Sequence, residues 1–154
     1  MSSCIPSFLS PGAVILDLRA ATKPSLLHAL SERASQPSGL PAETIFAELS
    51  KRESLGSTGM GDGIAIPHAT YARLHRTFGL AARVKPAVDF DAIDGKPVDL
   101  VFLLLTPASS EKTHLNALAA ISRRLRNRDV TEKLRAIAGP DGFYRLLIGE
   151  GAAA

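Results

Sequence analysis

Cysteine occurs once in the 154 residues, at Cys4, and tryptophan does not occur. One thiol excludes an internal disulfide. With no Cys-x-x-Cys pair and no His/Cys cluster, the sequence provides no structural zinc site. Placed so near the amino terminus, Cys4 reads as incidental rather than catalytic. Tyrosine is nearly as scarce, with two residues. No helix-turn-helix, zinc-finger or RNP pattern supplies base contacts, which argues against nucleic acid as a partner. Long apolar runs are also missing. The longest, Leu100 to Leu105, is far too short to cross a bilayer. The amino terminus lacks the basic segment and apolar stretch of a secretion signal. A soluble, cytoplasmic chain without membrane insertion is expected.

What is present is an ordinary globular composition, 45% hydrophobic and 21% charged. The length suits one domain over 1–154, with a core spanning about residues 10–148 and short tails at both ends. The net charge is +3. From Arg123 to Arg135, Arg123, Arg124, Arg126, Arg128, Lys133 and Arg135 face only Asp129 and Glu132. That stretch carries +4, so the remainder carries −1. A single basic helical segment of this kind reads as a solvated face.

Hydropathy patterning predicts the order of elements. Ala13 to Leu18 reads as a strand. Thr22 is positioned as the N-cap of a helix bearing Leu26, Leu27 and Leu30, which Ser35-Gln36-Pro37-Ser38-Gly39 should break. A second helix starts near Pro41, places Ile45, Phe46 and Leu49 together, and fades between Lys51 and Ser54. Three strands follow. The first is Ile64 to Ile66, ending at Pro67-His68. The second, Thr77 to Val84, alternates like a half-buried strand. The third, Val98 to Leu105, is apolar enough for a central strand buried on both faces. Helices are expected over Glu111 to Arg126, Asp129 to Ala138 and Asp141 to Leu147. The first of these should bury a stripe of His114, Leu115, Leu118, Ile121 and Leu125, with arginines opposite. Gly149 to Ala154 should fray. The order strand, two helices, three strands, helices predicts an α/β (α+β) domain, a mixed sheet sandwiched between helical layers.

Chemistry concentrates in one segment. Gly56, Gly59, Gly61 and Gly63 fall within eight residues. Such a loop is either a tight structural turn or a cradle of inward-facing amides for an oxyanion. It matches neither a Walker loop nor a dinucleotide fingerprint. Ser57 and Thr58 add hydroxyls, Arg52 precedes the loop and His68 follows it. Guanidinium, hydroxyls and amides are the donors a phosphoryl group requires. A neutral imidazole is a competent nucleophile near pH 7. On these residues alone His68 is either a turn histidine or a phosphoryl acceptor, and His114 a partly buried helix histidine. His28 reads as a helix-face residue and His75 as exposed. Two histidines, His68 and His114, lack the third ligand of a stable metal site, and no cofactor is called for.

Arg52-Glu53-Ser54-Leu55-Gly56-Ser57-Thr58-Gly59-Met60-Gly61-Asp62-Gly63-Ile64-Ala65-Ile66-Pro67-His68 closely resembles a known phosphorylation-site signature. It is that of the mannitol/fructose-class enzyme IIA proteins of the bacterial sugar phosphotransferase system. Phe90 to Val101 and Lys112-Thr113-His114-Leu115 are similar to the same family, in particular its nitrogen-regulatory branch. The resemblance runs from about residue 10 to 148. It implies that His68 accepts a phosphoryl group at Nε2 from a phosphohistidine of the carrier HPr or its nitrogen-branch counterpart. It further implies that His114 and Arg52 complete the active site, with Gly56, Ser57, Thr58 and Gly59 as a phosphoryl-binding loop. The implied role is a phosphohistidine carrier that regulates target proteins according to its phosphorylation state. A sugar-specific enzyme IIA passing phosphate to a IIB component is the alternative, and a phosphorylation-independent binding module is a third reading. The chain departs from the signature at Ala69, where glycine commonly follows the histidine.

Overall fold

The computed structural model describes residues 5–149. The expectations for Cys4 and for the carboxy-terminal tail beyond Gly149 lie outside them. After two short 3-10 turns comes β1 (Val14–Leu18), followed by α1 (Lys23–Ser38) and α2 (Ala42–Ser54). Five strands succeed these helices: β2 (Gly59–Gly61), β3 (Ile64–Ala65), β4 (His68–Tyr71), β5 (Phe78–Val88) and β6 (Val98–Pro107). The chain closes with α3 (Glu111–Leu125), α4 (Arg128–Ala136) and α5 (Pro140–Ile148). The predicted class and layering hold. The predicted three strands become five, because the glycine-rich loop itself contributes β2 and the segment around His68 is a strand of its own.

The six strands form one mixed sheet, five of them in the order β1-β5-β6-β3-β2 and β4 paired separately with β6. β1 runs parallel to β5, β5 antiparallel to β6, and β2 antiparallel to β3. One edge of β6 is shared end to end: Ile64 and Ala65 of β3 pair with Leu100 and Val101, and His68 to Tyr71 of β4 pair with Leu104 to Pro107. Proline cannot donate to a ladder, and the Ile66-Pro67 step divides what would be one strand into two.

β6 is the centre of the core, with all but Asp99 buried along its ten residues. Odd and even positions are both buried, so helices cover both faces. Each fully enclosed leucine from Leu103 to Leu105 contributes about 1.5–3 kcal/mol of burial. β5 departs from the expected alternation: Gly79, Leu80, Ala81 and Ala82 are all buried. It is interior to the sheet, between β1 and β6, and α1 packs against it, so both its faces are covered by the helical layers. A Cβ at Gly79 would lie 2.8 Å from the Phe102 ring, so the strand admits only hydrogen there.

The helices begin and end largely where their caps dictate. Thr22 forms a capping box with Ser25, a device worth about 1 kcal/mol. α1 runs through Pro37 rather than breaking at Ser35. The proline sits in the last turn, and Gly39 terminates the helix in the left-handed conformation at φ 79°. α3 is rotated from the expected stripe: Ala117, Ala120, Ile121 and Leu125 are buried, Leu118 is half-buried and Leu115 is 55% exposed. Alanines carry little weight in a hydropathy pattern, yet their small side chains let a helix approach the sheet closely. Nor do all the arginines face solvent. Arg124 Nη2 donates to the Leu146 carbonyl at 2.6 Å, satisfying the C-terminal end of α5. Arg83 does the same for α4, donating to the Ile137 and Leu134 carbonyls at 2.6 and 3.1 Å. Cations at helix C-termini are favoured by the macrodipole.

Candidate functional site

The end of β4 nearest Pro67, the last turns of α2 and the first turn of α3 meet in a shallow recess. It measures about 260 Å³ and is lined by Glu48, Lys51, Arg52, Leu55, His68, Ala69, Thr70 and His114. Three of the sequence-predicted site residues therefore converge from three separate elements. His68 opens β4 instead of ending the preceding strand.

The break in the ladder at Ile66-Pro67 sets the tautomer of His68. The Ile66 carbonyl turns toward the ring and lies 2.7 Å from Nδ1. A carbonyl only accepts, so Nδ1 carries the hydrogen and Nε2 keeps its lone pair. Burial lowers the His68 pKa, the Ile66 hydrogen bond opposes this, and the Arg52 charge lowers it further. The ring is therefore neutral at pH 7, the state required of a nucleophile.

His114 stands beside it, with ring centroids 5.4 Å apart and planes inclined at 46°. α3 places it one turn in. Ser110 caps that turn by accepting from the Thr113 amide at 3.2 Å, and the His114 amide donates to the Ser110 carbonyl. These amides are thus committed to the helix. Burial lowers the His114 pKa most, followed by the positive charge that His68 and Arg52 would exert. Arg52 lies in the last turn of α2 and donates from Nη1 to the Gly56 carbonyl at 2.9 Å. That bond orients the guanidinium and leaves its other N–H groups for an anion.

The glycine-rich loop does something different from what its composition suggests. None of Gly56, Ser57, Thr58 and Gly59 lines the recess. Ser57 Oγ donates to the Phe90 carbonyl at 2.6 Å and accepts from the Gly59 amide. The Thr58 amide donates to Glu53 Oε1 at 3.0 Å, and its hydroxyl donates to Oε2. The two hydroxyls and the Thr58 and Gly59 amides, expected from the family resemblance to bind a phosphoryl group, are engaged within the protein, where they hold the loop shut. Gly59 fits because the Ala92 Cβ would lie 2.9 Å from any Cβ there.

Sequence reasoning missed two residues that this geometry depends on. Glu53, buried beside Arg52, joins Lys23 Nζ at 2.9 Å, and Lys23 also sits 4.6 Å over the Phe90 ring. Thr106, wholly buried on β6, lies 2.5 Å from His114 Nδ1. A hydroxyl at the end of an otherwise apolar run was the available signal for Thr106. His28 and His75 take no part: both are exposed, and His28 pairs with Glu32 across one turn of α1. Among the described residues no three His, Cys, Asp or Glu side chains are grouped to hold a metal ion. None of their helices is long and apolar enough to cross a membrane.

Similarity to known proteins covers the whole of this arrangement. The family model for the phosphoenolpyruvate-dependent sugar phosphotransferase system, EIIA 2, matches residues 7–149. A nitrogen regulatory protein of Bradyrhizobium diazoefficiens is 41% identical over 143 residues, 93% of this chain and 94% of its own. The crystal structure of the nitrogen regulatory protein IIA-Ntr from Neisseria meningitidis superposes with a TM-score of 0.89 at 32% identity, covering 94% of this chain and 99% of that one. Enzyme IIA of the mannitol system, in its complex with phosphorylated enzyme IIB from Escherichia coli, shares the fold. Its TM-score is 0.77 at 22% identity, over 89% of this chain and 94% of that one. Sequence, fold and the extent of the match agree, and the chain belongs to the EIIA 2 family of the phosphoenolpyruvate-dependent sugar phosphotransferase system.

Proposed function

We propose that this protein is a nitrogen-regulatory enzyme IIA that accepts a phosphoryl group on His68 Nε2 from an HPr-type carrier and regulates partner proteins through its phosphorylation state. The observation carrying this reading is the Nδ1–H of His68 donating to the Ile66 carbonyl, beside Arg52 and His114 in an open recess. The Nε2 lone pair attacks phosphorus as the phosphorus–nitrogen bond of the carrier's phosphohistidine breaks, its electron pair returning to the carrier's imidazole. Nδ1–H of His68 is retained throughout, so Ile66 stabilises the product as well as the reactant. Arg52 offsets charge on the three phosphoryl oxygens during transfer, and His114 donates to one of them. Transfer between two side chains requires a shallow site, and the 82% exposed Leu55 offers apolar surface at its rim. The names of the nitrogen regulatory relatives support the regulatory branch.

The mannitol enzyme IIA seen with phosphorylated IIB carries a second reading, in which phosphate moves on to a transporter component. Incubation with enzyme I, an HPr-type carrier and labelled phosphoenolpyruvate tests both. The parent protein should be labelled on His68 Nε2, and folded His68→Ala should take no label. Undiminished labelling of His68→Ala overturns the assignment. Rapid loss of label to an added IIB domain would favour the sugar-specific reading over the regulatory one.

A further inference from the structure

Thr106 is the one polar side chain on β6 that is wholly buried, and the phosphoryl transfer proposed above has no direct use for it. It pairs in register with Thr70 of β4, two residues beyond the His68–Leu104 pair. Its hydroxyl lies 2.5 Å from His114 Nδ1, and among the described residues this is its only side-chain hydrogen-bond partner.

The direction of that bond follows from counting hydrogens. A threonine hydroxyl has one hydrogen to donate, and an imidazole Nδ1 either donates or accepts. If Nδ1 carried a hydrogen and donated it to Thr106, the buried hydroxyl hydrogen would have no acceptor among the described residues. Leaving a buried donor unpaired costs about 1–3 kcal/mol. If Thr106 donates, every group is satisfied, Nδ1 is the acceptor, and the imidazole hydrogen must sit on Nε2.

We propose that Thr106 is a positioning residue that fixes His114 as the Nε2–H tautomer, making its exposed edge a hydrogen-bond donor to the phosphoryl group. The consequence rests on the reading of His68 as phosphoryl acceptor. The two buried partners act in opposite senses. The Ile66 carbonyl accepts from His68 and leaves its Nε2 bare, whereas the Thr106 hydroxyl donates to His114 and leaves its Nε2 protonated. One ring is thereby set as nucleophile and its neighbour as donor, and the roles are assigned by the backbone of one strand break and one hydroxyl. In the opposite tautomer, His114 would present a lone pair to a dianionic phosphoryl group and repel it.

The nitrogen-15 shifts of the two imidazoles in uniformly labelled protein at pH 8 test this without any phosphoryl transfer. His114 should show an acceptor-type Nδ1 and a protonated Nε2, and His68 the reverse. Thr106→Val removes the hydroxyl at nearly constant volume. It should move the His114 shifts toward tautomer-averaged values, leave those of His68 in place, and slow phosphoryl acceptance about tenfold. Thr106→Ser should restore both the shifts and the rate. A protonated Nδ1 on His114 in the parent overturns the proposal, even if Thr106→Val does not fold. Unchanged His114 shifts in folded Thr106→Val also overturn it. Failure of His68 to take label would sink the functional reading while leaving the tautomer measurement standing.

Discussion

At the scale of single residues, the site works through two neutral imidazoles kept neutral by their surroundings. Burial is the main cause for both, and each also experiences the Arg52 charge. Their folded pKa values lie below the ordinary 6.5, so the unfolded chain binds protons more readily. The sign follows by linkage: their stabilising contribution is complete above pH 6.5 and is lost as pH falls from 6.5 through the folded values. Proton-detected titration should place both midpoints below 6.5, with phosphoryl acceptance falling to about half at the His68 midpoint. In His68→Gln the His114 midpoint should rise, because the charge His68 would gain on protonation no longer opposes it, yet stay under 6.5 because burial persists. A His68 midpoint at or above 6.5 would contradict this account. His68 was legible in the sequence because its motif is contiguous. The neutral state of the two rings was not, since it depends on what α2 and α3 bring to them.

At the scale of elements, Glu53 ties the end of α2 to the start of α1 and to the loop ahead of β2. It reaches Lys23 at the start of α1 and both donors of Thr58 ahead of β2, while Lys23 continues to Phe90 and, at 3.8 Å, to Asp91. Because Glu53 adjoins Arg52, the same tie holds the end of α2 against the recess. Glu53→Gln keeps the volume but removes the charge, weakening charge-assisted bonds worth about 1.5–3 kcal/mol. The melting temperature should fall by about 3–10 °C. Thermal unfolding monitored by circular dichroism measures this, and an unchanged midpoint would show that the tie carries no stability. Helix starts were legible, as at Thr22, where spacing alone specifies the cap. The loop's role was not: its hydroxyls look free in one dimension and are bound to Glu53 and Phe90 in three.

For the whole molecule, the charge pattern bears on the proposed protein partner. Of the six cations between Arg123 and Arg135, Arg124 caps α5 and Arg135 pairs with Asp99 at 2.9 Å. The other four share their surface with Asp129 and Glu132, which leaves no dense basic stripe. Exposed apolar surface lies instead at the recess, at Leu55. Raising salt from 50 to 200 mM should weaken association with the HPr-type carrier by less than about tenfold. A surface making six to ten phosphate contacts would lose about 10³–10⁵ over that range. Isothermal titration at several salt concentrations reads the slope. A steep slope together with tight binding to DNA would contradict the assignment of the basic segment as a solvated face.

The sequence by itself determined the class of fold and the central strand at Val98 to Leu105, and through its family signature it pointed to Arg52, His68 and His114 as candidate site residues. Caps, apolar runs and a contiguous signature are properties of neighbours along the chain, and they survive without knowledge of contacts. The tertiary structure decided the rest. It buried both faces of β5, turned Leu115 outward, and closed the glycine-rich loop on Glu53 and Phe90. It also set Thr106 against His114. Each of these depends on which distant segments meet, and the sense of a hydrogen bond is defined only once both partners and their burial are in place.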